Sequence, residues 1–106
     1  MDFEVRTRTG PAGLVVTPVG ELDIATVERM RNAYVEREPG QALTLDLTCL
    51  EFMDTSGIQV IVEAYRAARE EGFDLSIIPA QPDIQRVFEL AGLDRVLPFT
   101  PANGNG

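Results

Sequence analysis

Four consecutive residues, Asp54-Thr55-Ser56-Gly57, combine the side chains of this sequence that are best placed for chemistry. They follow a short apolar segment and precede apolar residues at helical spacing, so we expect them at the start of a helix. A carboxylate or hydroxyl at that position can cap the helix, and a hydroxyl can also accept a phosphoryl group. Ser56 therefore has two candidate roles.

The capping role follows from the spacing of Ser56 and Gln59, which is that of a capping box. The Ser56 hydroxyl would accept from the Gln59 amide while the Gln59 side chain reaches back, and such a cap stabilises a helix by about 1 kcal/mol. Asp54 or Thr55 would cap instead if the helix began earlier. For Gln59 we favour this capping role over a role in the choice of partner.

The phosphorylation role uses the same local geometry. A helix N-terminus offers unpaired amides and the positive end of the helix dipole, so a phosphate on Ser56 is expected to be tolerated there. The phosphate adds about 1.5 to 2 negative charges beside Asp54. We therefore expect phosphorylation to change the binding of a partner and to leave the fold intact.

The composition argues against most enzyme mechanisms. All nine basic residues are Arg and the chain has neither His nor Lys, which removes imidazole bases, phosphohistidine, Schiff-base lysines and the P-loop lysine. We predict no enzymatic activity, no cofactor and no metal site. The net charge of −8 argues against nucleic acid and favours a basic protein partner.

The single cysteine and the hydropathy of the chain bear on its location. Cys49 has no intramolecular partner for a disulfide, which suits a reducing compartment, and we expect it to be buried and unreactive. No apolar run reaches the roughly 18 residues of a membrane helix, and the first residues lack the apolar stretch of a signal peptide. The sequence predicts a cytoplasmic protein without a membrane segment.

The elements that position the Asp54 segment can be read from the apolar pattern. An antiparallel hairpin is expected from residues 3–7 and 14–19, where Pro18 either removes a ladder bond or ends the strand. Asp23 is the expected N-cap of a helix that starts at Ile24, buries Val27, Met30 and Tyr34, and ends at Pro39-Gly40. A central strand at 42–47 and a loop at 48–55 lead to the second helix.

The second half of the chain continues the alternation. The inward face predicted for the second helix is Ile58, Ile61, Val62, Tyr65 and Ala68, with Gly72 ending it. A strand at 73–78 follows. A third helix begins at Pro82, ends at Gly92, and is expected to bury Ile84, Val87, Phe88 and Ala91. A short last strand is possible at 96–99.

This order, β-β-α-β-α-β-α, predicts one α/β domain over residues 1–100, with a mixed β-sheet and helices packed on it. Residues 101–106 are expected to form a disordered tail. Phe52 and Met53 are expected in the core or as loop anchors and not in an exposed docking patch. Glu21 and Glu51 are expected to be solvated loop residues, although either could face a partner.

Three segments together resemble the STAS-domain anti-sigma factor antagonist family. They are FMDTSGIQVI at 52–61, which resembles the phosphorylation loop, VGELDIAT at 19–26, and PDIQRVFELAGLDRVLPF at 82–99. The first departs from the family motif by Thr55 in place of the first Ser and Gln59 in place of the second Gly. The resemblance covers nearly the whole chain and implies a single STAS domain.

The resemblance also implies a function in transcription regulation by partner switching, as in stress responses. The unmodified protein would bind an anti-sigma factor that is also a serine kinase, and so free the sigma factor. The kinase would phosphorylate Ser56, with Thr55 as a competing acceptor, and a PP2C-type phosphatase would reset the protein. The partner-binding residues carried over are Asp23, Asp54, Thr55, Ser56 and Gly57, and we expect a monomer.

One other role stays open at this point. The chain could be the STAS subunit of a lipid ABC-transport complex, docked to the transporter ATPase without phosphorylation. A nucleotide-binding or nucleotide-hydrolysing STAS protein is the weakest alternative, because a Gly-rich loop and Lys are absent. A receiver domain with a phosphoaspartate is disfavoured by the lack of its paired acidic residues and its lysine.

Overall fold

A five-stranded mixed sheet with three α-helices forms the part of the chain that the structure, a computed structural model, describes, residues 3–101. The elements are β1 (Glu4–Gly10), β2 (Gly13–Leu22), α1 (Val27–Val35), β3 (Leu43–Asp46), β4 (Leu50–Met53), α2 (Thr55–Glu71), β5 (Leu75–Ile78), α3 (Pro82–Leu90) and a 3-10 turn, Leu93–Arg95. The single α/β domain and its mixed sheet are confirmed.

The long strand β2 is the centre of the sheet, in the order β1-β2-β3-β5. It pairs antiparallel with β1, and along its other edge it pairs parallel first with β3 through 14–16 and then with β4 through 20–22. Pro18 lies between these two paired stretches and is buried. Because proline has no N–H to donate, it fits the gap where one partner strand gives way to the next, and β2 continues through it.

Strand β4 corrects the loop predicted at 48–55. Leu50 and Met53 are buried, and β4 runs beside the end of β2 with a register shift between Gly20 and Glu21. The pairing depends on a segment some 30 residues earlier, so the local pattern LEFM did not reveal it. Phe52, predicted as a core or loop anchor, is exposed, whereas Met53 is in the core.

The helices cover the core but not always with the predicted face. In α1 the buried residues Val27, Met30 and Tyr34 are those predicted. The inward face of α2 is rotated from the prediction, since it is formed by Gly57, Val60, Ile61, Ala64 and Ala68. In α3 only Ile84 and Phe88 are buried, while Val87 and Ala91 are exposed. Small residues let α2 approach the sheet closely, which a pattern based on large apolar residues overlooks.

The chain ends and turns add smaller corrections. Gly72 and Gly92 adopt positive φ of 80° and 74° and end α2 and α3 as predicted. The last strand is reduced to a single bridge between Ile77 and Phe99. Cys49 is exposed and not buried. No helix within residues 3–101 has the length and hydropathy to cross a bilayer. Residues 102–106 of the predicted tail lie outside the described part.

Candidate functional site

The carboxyl ends of two neighbouring parallel strands bring the predicted site residues together. Leu22 at the end of β2 pairs with Met53 at the end of β4, and the Asp54 amide donates to the Leu22 carbonyl at 3.2 Å. Asp23 and Asp54 are therefore the residues that follow adjacent strand ends. We call residues 21–26 and 51–56 the docking edge.

Asp54, and not Ser56, is the N-cap of α2. Asp54 has extended backbone angles, and its Oδ1 accepts from the Ser56 amide at 2.8 Å. The helix begins at Thr55, so Ser56 is its second residue, and no capping box forms with Gln59, which is exposed. The capping role predicted for Ser56 and Gln59 is therefore wrong, and the earlier start applies. The bond from Asp54 to Leu22 fixes this start, which local spacing alone leaves open.

The helix start also has fewer free amides than the sequence suggested. Of the first four amides of α2, that of Ser56 donates to the Asp54 carboxylate, and those of Gly57 and Ile58 donate to the Asp54 carbonyl at 3.0 and 3.3 Å. A phosphate on Ser56 would thus have to compete with Asp54 for these donors. The expectation that unpaired amides would hold the phosphate needs correction.

The side chains of the segment differ in accessibility. Thr55 is exposed, Ser56 is half-buried and Gly57 is buried. Within residues 3–101 the Ser56 hydroxyl makes no hydrogen bond, so it is not committed to the fold. A Cβ on Gly57 would lie 2.5 Å from Met53 Cγ and 3.1 Å from the Leu22 side chain. Gly57 allows α2 to pack on the two strand ends, which places Ser56 at the surface.

Asp23 builds a turn that precedes α1. The helix was predicted to start at Ile24, but it starts at Val27, with Thr26 at the N-cap position. The Asp23 carboxylate accepts from the Ala25 amide at 3.0 Å, while the Asp23 amide donates to the Thr26 hydroxyl at 2.9 Å. Asp23 therefore caps this turn and not the helix.

Thr26 is a positioning residue that the sequence analysis missed. Besides accepting from Asp23, its hydroxyl lies 2.8 Å from the Glu21 carbonyl, to which it can donate its proton. The spacing Asp-x-x-Thr could have revealed this turn, because side chains of both residue types commonly form hydrogen bonds with backbone groups two or three residues away. These bonds hold the 23–26 turn against the end of β2 and leave Ile24 pointing into solvent.

The docking edge is acidic. Glu21 and Asp23 lie on one of the two segments that meet there, and Glu51 and Asp54 on the other. No basic residue occurs in the sequence between Arg8 and Arg29, or between Arg37 and Arg66. The edge therefore presents carboxylates, one free hydroxyl at Ser56 and one exposed hydroxyl at Thr55. Such a surface suits binding of a basic partner, and the hydroxyls suit modification by it.

Comparison with known proteins identifies the family of the chain. Residues 2–104 match the STAS domain family. The chain is 27% identical over 102 residues to the anti-sigma F factor antagonist of Paenibacillus polymyxa, covering 93% of this chain and 87% of that protein. It is 30% identical over 88 residues to the anti-sigma-B factor antagonist of Listeria monocytogenes, covering 80% and 76% of the two chains.

Solved structures share the fold. A crystal structure of an anti-sigma factor antagonist from Mycobacterium paratuberculosis superposes with a TM-score of 0.81 at 23% identity, covering 98% of this chain and 90% of that one. The phosphorylated form of the Bacillus cell fate determinant SpoIIAA superposes with a TM-score of 0.66 at 19% identity, covering 98% and 96%. With three sequence segments, a sheet topology and a family match in agreement, the chain belongs to the STAS-domain family of anti-sigma factor antagonists.

Proposed function

We propose that this protein binds an anti-sigma factor with serine kinase activity through its docking edge, and that phosphorylation of Ser56 ends the interaction. The observation that carries the proposal is the state of Ser56. Its hydroxyl is unbonded within residues 3–101, and it lies at the start of α2 beside the Asp54 cap. Binding of the unmodified protein would withdraw the anti-sigma factor from its sigma factor.

The phosphoryl transfer needs a kinase to supply everything but the acceptor. The Ser56 Oγ attacks the γ-phosphorus of ATP, the bond to the bridging oxygen breaks, and ADP leaves with that oxygen. We assign the hydroxyl proton to a base of the kinase, because this chain has no His and the Asp54 carboxylate serves as the cap of α2. The protein is thus the substrate in this reaction and not the catalyst.

Release follows from where the new charge is placed. While Ser56 is in the active site of the kinase it faces the nucleotide phosphates, so phosphoserine would adjoin the phosphates of ADP. Like charges at that distance repel, and the phosphate also enlarges the side chain in a space that fitted a hydroxyl. The fold is spared because no hydrogen bond of the described residues depends on the Ser56 hydroxyl. A PP2C-type phosphatase would reset the monomeric, cytoplasmic protein.

Thr55 is the competing acceptor, since it is the more exposed of the two hydroxyl residues. Its β-branched side chain carries a methyl group beside the hydroxyl, which a kinase site fitted to serine would have to accommodate. We assign the phosphate to Ser56. The matched relatives are antagonists of anti-sigma factors, so no observation favours the transporter-subunit alternative.

The test is phosphorylation by the kinase-type anti-sigma factors of the source organism, each incubated with ATP and the wild-type, Ser56→Ala or Thr55→Val protein. Mass spectrometry should locate one phosphate on Ser56 in the wild type and Thr55→Val, and none in Ser56→Ala. Phosphate on Thr55, or none with any kinase that binds the protein, would refute the assignment.

A binding measurement completes the test. Ser56→Ala should bind the kinase as the wild type does, whereas Ser56→Asp should bind more weakly while its thermal midpoint stays nearly unchanged. A collapse of the Ser56→Asp fold would instead show that the hydroxyl position is structurally essential.

A further inference from the structure

Two large apolar side chains are exposed at the docking edge, one in each of its two segments. Ile24, in the turn after β2, is 78% exposed, and Phe52, in β4, is 48% exposed. Single exposed apolar residues are ordinary on protein surfaces. Here, however, they stand in two segments whose backbones are joined at Leu22 and Asp54, next to the candidate phosphorylation site.

Ile24 is held in place by the turn that Asp23 and Thr26 build. Besides the two side-chain bonds at its ends, the Asp23 carbonyl accepts from the amides of Thr26 and Val27 at 3.0 and 2.9 Å. A turn with this many internal bonds loses little conformational entropy when a partner binds it. An exposed isoleucine on such a turn is preorganised for insertion into a pocket.

Phe52 is held in place by the sheet. It pairs with Glu21 in the parallel register, while the next residue, Met53, pairs with Leu22, and both of these are in the core. Because successive strand residues point to opposite faces, Phe52 points to the face opposite Met53, as Glu21 does opposite Leu22. The core side chains thus fix the direction in which Phe52 is presented.

The charge around the two residues defines what could cover them. Glu21, Asp23, Glu51 and Asp54 lie within three residues of Ile24 or Phe52, and neither segment contains Arg or Lys nearby. A partner surface must therefore combine apolar pockets with basic residues. The other large exposed apolar residues differ in this respect, since each has an arginine within four residues in the sequence. They are Val35, Val87, Leu90 and Val96, and the arginines are Arg37, Arg86 and Arg95.

We propose that Ile24 and Phe52 are the apolar contacts of the docking edge, one in each of its two segments, and that they enter apolar pockets rimmed by basic residues on the anti-sigma factor. The carboxylates of Glu21, Asp23, Glu51 and Asp54, which we call the acidic rim, would guide the encounter, and the apolar contacts would slow dissociation. This inference rests on the proposed function, and it adds two residues that lie outside the motif segment 54–57.

The apolar contacts are tested by two variants, Ile24→Ser and Phe52→Thr. Their affinities for the anti-sigma factor are measured by calorimetry in the presence of ADP, so that no phosphate is transferred. Each should bind at least about tenfold more weakly than the wild type, the effect typical of a contact residue at the centre of an interface. The control is Leu90→Ser, because the exposed fraction of Leu90, 75%, is similar to the 78% of Ile24, whereas Leu90 lies at the end of α3. It should bind as the wild type does.

The acidic rim has its own matched pair, Glu51→Gln in β4 and Glu89→Gln in α3, both exposed. Glu51→Gln should lower the association rate at low salt, and Glu89→Gln should not. Equal association rates for the two variants would contradict the proposal that basic residues of the partner face the docking edge. The proposal that Ile24 and Phe52 are apolar contacts would be overturned if either variant bound within twofold of the wild type while its thermal midpoint was unchanged. If the wild type binds no anti-sigma factor, the proposed function itself fails.

Discussion

The Asp54 amide donates to the Leu22 carbonyl at 3.2 Å, and this bond joins the end of β4 to the end of β2 just where the α2 helix begins. It places the Asp54 carboxylate at the N-cap position and brings the Asp23 turn, which follows Leu22, close to Asp54. The site is therefore a consequence of two strand ends in register, and its parts should respond differently to substitution.

We expect the helix cap and the free hydroxyl to be separable. Asp54→Ala removes the acceptor of the Ser56 amide and should lower the free energy of unfolding by about 1 kcal/mol, typical for loss of an N-cap. Ser56→Ala should change it by no more than a few tenths of a kcal/mol, since surface substitutions that break no interaction have small effects. Urea denaturation of both variants measures the difference. A larger decrease in the free energy of unfolding for Ser56→Ala than for Asp54→Ala would indicate that Ser56 is the N-cap.

Gly57→Ala should destabilise the protein although alanine favours helices. The new Cβ would meet Met53 Cγ at 2.5 Å and the Leu22 side chain at 3.1 Å. Such overpacking typically costs about 1 to 3 kcal/mol, against a gain of about 1 kcal/mol in helix propensity, so a net loss of about 1 kcal/mol is expected. Gly10→Ala is the control, because a Cβ there meets nothing within 4 Å. Equal stability of the two variants would show that the helix start shifts freely.

Arg37 is expected to stabilise the end of the domain opposite the helix starts. Its guanidinium lies 3.5 Å from the Phe73 ring centroid, donates to the carbonyls of Glu38 and Gln41, and pairs with Glu71 at 2.9 Å. Lysine cannot reproduce a planar fork with several directed donors. Arg37→Lys should therefore lower the free energy of unfolding by about 1 to 2 kcal/mol.

The exposed Arg6 provides the comparison for that substitution. Its pair with Glu4 is on the surface, with the Arg6 side chain 63% exposed, and such pairs contribute little to stability. Arg6→Lys should change the free energy of unfolding by less than about 0.5 kcal/mol. The two variants compared by thermal or urea unfolding decide the point, and equal effects would contradict the role given to Arg37.

Tyr34 predicts a loss of stability at alkaline pH. Burial, followed by the nearby Glu63 carboxylate, raises the pKa of Tyr34 from 10.0 to about 12. Between pH 10 and about 12 the folded protein therefore keeps the phenolic proton of Tyr34, whereas the unfolded chain has released it. Stability from this group is fully present below pH 10 and is lost as the pH rises through about 12.

The Tyr34→Phe variant isolates this effect. It loses the bond from the Tyr34 hydroxyl to the Val60 carbonyl, about 1 kcal/mol at neutral pH, but should show a shallower decline between pH 10 and 12. Urea unfolding across that range, with tyrosine absorbance as the titration signal, measures both terms. No lysine titrates in the same range, because the chain has none. Parallel declines for the two proteins would contradict the assignment.

The sequence by itself determined the class of fold and the ends of the helices α2 and α3, and it pointed to the segment of the candidate site. Gly72 and Gly92 could be assigned because positive φ favours glycine whatever surrounds it. The buried residues of α1 could be assigned because large apolar side chains at helical spacing leave one choice of face. The prediction of no enzymatic activity rests on the absence of His and Lys, which the sequence alone shows.

Only the tertiary structure decided which residue caps α2, where β4 lies and which large apolar side chains of the docking edge are exposed. Asp54, Thr55 and Ser56 are all competent caps locally, and the choice is made by the bond from Asp54 to Leu22, 32 residues earlier in the chain. Strand β4 exists because the end of β2 offers it a partner. Hydrogen bonds between distant segments leave no local pattern in a sequence, so a short motif pointed to the candidate site while its geometry depended on the sheet.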